Sequence, residues 1–196
     1  MIEDMPNSEE QQAQAWRKRM QASPFANPRG PLGWVAGQLM ARLSTQRSEW
    51  GLSLLDLQPD DQLLEVGFGP GVDIQRAVRV VTDGTVAGVD PSATMVSLAG
   101  RRNRAAIRTG KVQLYQVAMP GPLPFPDGVF TKIFTNNSFA FWDEPDASLR
   151  ELKRVLRPGG RVAIVAQPLW LKTPAEARAY GETVAQKLRD TGFSRV

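Results

Sequence analysis

The sequence predicts an α/β protein in which helices cover both faces of a mostly parallel sheet, giving three layers. After residue 59, short apolar runs alternate with helix-compatible segments, as they do in strand–helix–strand units. These runs are nearly continuous, which is typical of parallel strands buried on both faces. A glycine-rich turn at 67–71 directly follows the first run. Ligands of such folds bind outside the carboxyl ends of the strands, so we expect the functional site at that edge.

The predicted elements follow one another along a domain at 59–196. Strands are predicted at 62–66, 85–89, 111–117, 129–135 and 160–166. Helices are predicted at 71–80, 92–107, 145–156 and 174–191. The residues at 193–196 have the pattern of a sixth strand that stops early, as in a short or truncated chain. Strand five would then be an exposed edge through which two copies could pair as a homodimer.

Residues 1–58 are predicted to form a helical extension. A short helix is expected at 9–21, where acidic residues come first and basic residues last, as the helix dipole favours. A breaker rich in proline and glycine follows at 23–31. The segment 32–57 then has the apolar stripe of a second helix, which includes Trp34, Trp50 and Leu55.

Composition excludes several classes of protein. A chain of 196 residues with 42% hydrophobic residues suits one globular core, and no apolar run is long enough to span a bilayer. The acidic start lacks the features of a signal peptide, so a cytoplasmic protein is expected. With no cysteine and no histidine, disulfides, thiolate metal sites, a cysteine nucleophile and a histidine base are excluded. The basic run from Arg101 to Lys111 is interpreted as a solvated helix face, because no aromatic platform for bases accompanies it.

Two acids and three glycines point to a nucleoside cofactor. Gly67, Gly69 and Gly71 let the backbone turn sharply and approach a ligand. Asp90 ends the second apolar run, where an acid can accept hydrogen bonds from both hydroxyls of an adenosine ribose. Glu65, just before the turn, would repel a pyrophosphate but suits a ligand with an ammonium group and a sulfonium centre.

These residues resemble motifs I and II of the class I, Rossmann-like S-adenosylmethionine-dependent methyltransferases. Two later segments extend the resemblance, which covers 60–170. L-P-F-P-D-G-V-F at 123–130 is similar to the family's segment before strand four, and E-L-K-R-V-L-R-P-G-G-R-V at 151–162 to its helix-to-strand-five signature. The most similar subgroup methylates small molecules in ubiquinone and menaquinone biosynthesis. The resemblance implies a three-layer αβα sheet, S-adenosylmethionine as cofactor and S-adenosylhomocysteine as its product.

The resemblance also implies a set of cofactor-binding residues. Glu65 would hold the amino end of the cofactor, Asp90 its ribose, and the backbone of Asn136 its methionine part. The full set is Glu65, Gly67, Phe68, Gly69, Gly71, Asp90, Pro91, Met95, Ala118, Met119 and Asn136. Met95 is expected either to pack on adenine or to belong to the core.

The chain departs from the family pattern at two places. Ala118 and Met119 stand where the family commonly has Gly-Asp, whose acid contacts the adenine amino group. Met119 would contact the ring through its backbone N–H and its thioether instead. Thr131 stands where the family usually has an aspartate, and we interpret it as structural.

No residue is assigned as catalytic, and no metal is expected. If the acceptor must lose a proton, Asp143, Glu144 and Tyr115 are the candidate bases. The missing cysteines argue against cytosine C5 and arsenite methylation, and 136–139 lacks the Asn/Asp-Pro-Pro-aromatic motif of enzymes that methylate amino groups of nucleic acids. A small, fairly apolar acceptor remains. Its pocket is expected to include Phe25, Trp34, Phe139 and Trp142.

Several alternatives remain open from the sequence. The extension at 1–58 either forms a lid over the acceptor, hinged at the breaker, or simply packs on the sheet. Met119, the absent histidine and the missing sixth strand also fit a non-catalytic protein that keeps the fold and perhaps the cofactor. An NAD-dependent oxidoreductase is disfavoured by Glu65 and by the R-P-G-G sequence at 157–160.

Overall fold

The computed structural model describes residues 45–168 and 170–196. Its strands are β1 (Gln62–Val66), β2 (Thr85–Asp90), β3 (Val112–Gln116), β4 (Phe130–Asn136) and β5 (Leu156–Val165). Its α-helices are α1 (Thr45–Ser53), α2 (Val72–Ala77), α3 (Ala93–Arg102), α4 (Arg104–Arg108), α5 (Pro145–Val155) and α6 (Pro174–Asp190). The predicted helix at 9–21, the breaker at 23–31 and the first part of the helix at 32–57 lie outside the described residues.

The five described strands form one parallel sheet in the order β3-β2-β1-β4-β5. This confirms the predicted α/β fold with its parallel sheet. The order reverses at β1, so the connections from β1 and from β4 leave the sheet in opposite directions. A crevice opens at such a reversal, outside the carboxyl ends of the strands. β1 ends at Val66, β2 at Asp90 and β4 at Asn136, which brings the glycine turn and both polar strand ends to one edge.

Two apolar clusters enclose the sheet because successive residues of each strand point to opposite faces. Leu63 packs in the first cluster with side chains of α1, α2 and α3. Leu64, the next residue, packs in the second cluster with side chains of α5 and α6. Both leucines are almost completely buried, and burying a side chain of this size stabilises a fold by roughly 1.5–3 kcal/mol.

One ionic cluster joins the two downstream motifs of the sequence. Arg154 on α5 donates to the backbone oxygens of Leu123 at 3.2 Å and Phe125 at 2.9 Å. It also forms ion pairs with Asp127 at 2.7 Å and Glu151 at 2.6 Å. Glu151 in turn accepts from the backbone N–H of Leu123 at 2.7 Å. The segment at 123–130 and the helix before β5 therefore hold each other in place.

The structure differs from the predicted elements at several places, and three of these differences follow from specific contacts or turns. The predicted helix at 92–107 divides at Asn103, whose side chain donates to the backbone oxygens of Gly71 and Ala99 at 3.0 Å each. The first described helix ends at Ser53, before the predicted end at 57, because the chain turns at Asp56 with φ 49°. No strand forms at 193–196; Phe193 instead packs in the second cluster, under the ammonium group of Lys153.

In the described part of the chain, β5 pairs only with β4 and forms an edge of the sheet. A groove of about 480 Å³ runs between this edge and α6. Its apolar lining includes Ile164, Tyr180, Val184 and Leu188. None of the helices in the described ranges combines the length and the apolar character that a membrane span requires.

Candidate functional site

The glycine turn takes a shape that other residues would not tolerate. Gly67, Gly69 and Gly71 have φ values of 75°, 51° and 73°, in the region that side chains rarely adopt. A Cβ on Gly67 would come within 2.3 Å of Ser138, and one on Gly71 within 2.5 Å of Ala99. A Cβ on Gly69 would meet nothing within 4 Å. The outer two glycines are therefore needed for packing, whereas the middle one borders open space at the edge of the sheet.

Asp90 is joined directly to this turn. Its carboxylate accepts from the backbone N–H of Gly69 at 2.8 Å and from that of Ser92 at 2.9 Å. The residue is only 6% exposed, and burial raises its pKa from 3.8 to about 6 although both hydrogen bonds favour the charged form. A carboxylate has room for about four hydrogen bonds, so two backbone donors leave capacity for two ligand hydroxyls.

Glu65 has a buried carboxylate oxygen that forms no hydrogen bond with the described residues. It is 2% exposed, and burial, followed by the negative charges of Asp73 and Asp90, raises its pKa well above the usual range. The nearby backbone N–H of Ile74 offsets part of this rise in pKa, but Oε2 is buried and has no hydrogen-bond partner among the described residues. A buried polar atom without a partner lowers the stability of the fold by about 1–3 kcal/mol, so a ligand that brings a cationic donor would remove this cost.

Asn136 lies at the end of β4, level with the glycine turn. Its amide nitrogen Nδ2 donates to Ser48 Oγ at 2.9 Å and to Asp73 Oδ2 at 3.1 Å. Asp73 also accepts from Arg76 at 2.8 Å. The carbonyl oxygen Oδ1 of Asn136 is buried and has no hydrogen-bond partner within 45–168 and 170–196. Buried side-chain atoms without partners thus occur at two neighbouring strand ends of this one site.

The other predicted cofactor residues occupy varied positions. Phe68 is 3% exposed and lies in the first cluster, so only its backbone can face the open space. Met95 is 2% exposed in the same cluster, which favours the core interpretation that the sequence had left open. Pro91 and Ala118 are exposed beside the carboxyl ends of β2 and β3, and Met119 is half-buried against the second cluster.

The predicted acceptor residues are only partly described. Phe139 and Trp142 are each 5% exposed and pack on each other with ring centroids 5.0 Å apart. They belong to the second cluster and therefore contribute mainly to the core. Phe25 and Trp34 lie outside the described residues. Among the described residues, no group of acidic side chains is arranged to hold a metal ion.

Comparison with known proteins decides the family. A family model described as a methyltransferase domain matches residues 64–164, more than half of the chain. The chain belongs to this methyltransferase family. The protein YdaC of Bacillus subtilis, an uncharacterized methyltransferase, is 28% identical over 83% of this chain and 87% of its own length.

Two further relatives connect this methyltransferase with its cofactor and subgroup. A crystal structure of an S-adenosylmethionine-dependent methyltransferase from Aquifex aeolicus superposes with a TM-score of 0.64 and 27% identity, over 78% of this chain and 82% of that one. The ubiquinone/menaquinone biosynthesis C-methyltransferase UbiE of Geotalea daltonii is 34% identical over 55% of this chain and 46% of its own length. The fold and cofactor that the motifs imply are thereby confirmed.

The residues of this methyltransferase fit S-adenosylmethionine. Asp90 retains acceptor capacity beside the open space at Gly69, as a ribose requires. Glu65 has an unpaired buried oxygen, as an ammonium group requires. The buried acids Glu65, Asp73 and Asp90 lie close enough to raise the pKa of Glu65, with Arg76 as the compensating cation, and this field favours a positively charged ligand.

Three residues of the site were missed by sequence reasoning. Asp73 resembles an ordinary acid in the first turn of a helix, and Ser48 a polar residue on a helix surface. Both contact Asn136 from positions far away in the chain, 63 and 88 residues respectively. Asn103 supports the turn by donating to Gly71. An asparagine inside a helical pattern was the one available signal, because asparagine is a poor helix former.

Proposed function

We propose that this protein transfers the methyl group of S-adenosylmethionine to a small, fairly apolar organic acceptor. The observation that carries the proposal is the arrangement of Glu65, Asp90 and the open glycine turn at one edge of the sheet. UbiE, a C-methyltransferase of ubiquinone and menaquinone biosynthesis by its name, supports a small-molecule acceptor. The whole sequence contains no cysteine and no histidine, which excludes acceptors whose methylation requires a cysteine nucleophile or a histidine base.

When bound, S-adenosylmethionine supplies an activated methyl group on a positively charged sulfur. The chain itself binds the cofactor and the acceptor, orients them and excludes water. Asp90 holds the ribose, Glu65 and Asn136 hold the amino-acid end, and Gly69 lets the backbone approach closely. Orientation and desolvation can carry much of the rate enhancement of a displacement reaction without a strong base. This agrees with a chain that contains no histidine.

The extension at 1–58 serves as a lid over the acceptor in this proposal. Its described helix α1 packs on the sheet and places Ser48 against Asn136, so the extension reaches the edge of the proposed site. Phe25 and Trp34, in the part outside the described residues, would add apolar walls. Deleting residues 1–31 should leave the affinity for S-adenosylhomocysteine within a few fold of the full chain but abolish turnover. Full turnover in the deletion variant would rule out the lid.

A screen of methyl acceptors tests the proposed activity. The purified chain is incubated with S-adenosylmethionine and a panel of phenols, quinols, small acids and amines, and homocysteine release is followed through a coupled hydrolase. We expect release above the acceptor-free rate with at least one apolar acceptor. Asp90→Ala, analysed in parallel, should lower the signal, and Asp83→Ala, an exposed acid outside the site, should not.

One observation favours a second candidate, a non-catalytic protein that binds the cofactor. Met119 provides no carboxylate for the adenine amino group, and it packs instead against the second cluster. Such a protein would bind S-adenosylhomocysteine but release no homocysteine with any acceptor in the panel. Release with a single acceptor would reject this candidate.

A homodimer through the edge of β5 is proposed as the assembly. Its support is the edge itself, which is unpaired on one side among the described residues. Sedimentation equilibrium should give twice the mass of the chain. Val162→Pro should shift the chain toward monomer, because proline interferes with the pairing of an edge strand. A wild-type monomer at high concentration would refute the dimer.

A further inference from the structure

The side chain of Asn136 is held in one orientation by two partners. Its Nδ2 carries two hydrogens, and the contacts to Ser48 at 2.9 Å and Asp73 at 3.1 Å use both of them. The carboxylate of Asp73 can only accept, so it requires the NH₂ group, and not the carbonyl, to face it. The carbonyl oxygen Oδ1 must then point away from both partners. This buried atom has no hydrogen-bond partner among the residues that the structure describes.

A second buried oxygen that needs a donor belongs to the neighbouring strand. β4 is the neighbour of β1, and Glu65 pairs in register with Phe134, two residues before Asn136. Asn136 is therefore level with the start of the glycine turn, and the unpaired Oε2 of Glu65 belongs to the adjacent strand end. Two unpaired acceptors at adjacent strand ends suit a group with several N–H donors, such as an ammonium.

Both partners of Asn136 link the site to helix α1. Ser48 lies on α1 and is 1% exposed, so the contact of its hydroxyl with Asn136 is buried. Gly51 allows α1 to approach the sheet closely, because a Cβ there would lie 2.7 Å from Val165. Asp73 is bonded to Arg76, which also pairs with Glu49 of α1 at 3.6 Å. The exposed Glu49 contact contributes little, whereas the buried Ser48 contact positions the amide.

We infer that Ser48 and Asp73 are positioning residues for the amino-acid end of the cofactor. They orient the Asn136 amide so that its carbonyl oxygen, together with Glu65, accepts from the α-ammonium group. Because Ser48 belongs to α1, docking of α1 and recognition of this end of the cofactor are coupled. The inference rests on the cofactor assignment and adds two residues that never touch the cofactor themselves.

Two ligands separate this positioning role from a general effect on the pocket. S-adenosylhomocysteine carries the ammonium group, whereas 5′-methylthioadenosine keeps the adenosine and the sulfur but lacks the amino-acid part. Each dissociation constant is measured by calorimetry for the wild type, Ser48→Ala and Asp73→Asn. Ser53→Ala is the matched control, because Ser53 lies on the same helix and its hydroxyl donates to the backbone oxygen of Trp50, away from the site.

We expect Ser48→Ala to weaken S-adenosylhomocysteine binding roughly fivefold and Asp73→Asn roughly tenfold, as expected for losing the contact that orients one hydrogen bond to a charged group. Binding of 5′-methylthioadenosine should stay within about twofold in both, and Ser53→Ala should change neither ligand. Thermal melting of each variant confirms that it is folded. If Asp73→Asn does not fold, the comparison of Ser48→Ala with Ser53→Ala decides.

Two results would overturn the positioning role while leaving the cofactor assignment intact. One is unchanged S-adenosylhomocysteine binding in Ser48→Ala, and the other is an equal loss of affinity for both ligands. A wild-type chain that binds neither ligand would overturn the cofactor assignment and this inference with it. The two kinds of failure are therefore distinguishable from a single set of titrations.

Discussion

Replacing Asp90 with alanine should weaken cofactor binding strongly without unfolding the protein. The carboxylate is the only predicted contact for the ribose hydroxyls, and losing a hydrogen-bond partner of this charged kind costs about 1.5–3 kcal/mol, or roughly 10- to 150-fold in affinity. The effect on stability has two opposing parts. A pKa raised from 3.8 to about 6 costs about 3 kcal/mol of folding free energy at neutral pH, and alanine removes this cost.

The opposing part is the loss of two backbone partners. The N–H groups of Gly69 and Ser92 would each lose an acceptor, at about 1–3 kcal/mol apiece where water cannot replace it. The two parts are of similar size, so the melting temperature of Asp90→Ala should stay close to that of the wild type. Calorimetric titration with S-adenosylhomocysteine and a thermal melt measure both quantities, and Asp83→Ala serves as control. An unchanged dissociation constant in a folded Asp90→Ala would refute the ribose assignment.

Three further predictions concern the glycine turn, the protonation of Asp90 and the ionic cluster around Arg154. Gly69→Val should abolish measurable S-adenosylhomocysteine binding in a titration, because the side chain would enter the open space and resist φ 51°; normal binding would show that the cofactor lies elsewhere. Binding of 5′-methylthioadenosine should weaken up to roughly tenfold per unit as the pH falls below about 6, since protonating Asp90 removes an acceptor, and a titration series that shows no such slope would contradict this. Arg154→Ala should lower the free energy of unfolding in urea by about 1–3 kcal/mol, whereas the exposed Arg150→Ala should change it little; equal values for the two would contradict the role of the ionic cluster.

Features that depend on local pattern could be predicted from the sequence. Parallel strands buried on both faces require continuous apolar residues, so all five described strands were located to within a few residues. The glycine turn and Asp90 were recognised because positive φ values and a strand-end acid each restrict the residue type. Thr131 was interpreted as structural, and its hydroxyl indeed bonds to Asp61 and accepts from the backbone N–H of Gln62 at 3.0 Å.

Features that depend on contacts between distant segments could not be predicted. Asp73 acquires its place in the site only when α2 packs beside the end of β4, and no periodicity in the sequence records that contact. Helix α3 ends at Arg102 because the Asn103 side chain bonds to the turn, whereas the apolar pattern continues past it. The residues at 193–196 have strand propensity, but they pair with no strand in the described structure, and Phe193 packs in the second cluster through contacts that the local pattern does not record.

The central claim is that the chain holds S-adenosylmethionine at the carboxyl edge of its sheet, between Glu65 and Asp90. Calorimetric titration of the full chain with S-adenosylmethionine and with S-adenosylhomocysteine tests it most directly. We expect both ligands to bind at one site per chain, with an affinity that Asp90→Ala reduces and Asp83→Ala leaves unchanged. Failure of the wild type to bind either ligand at millimolar concentration would contradict the claim.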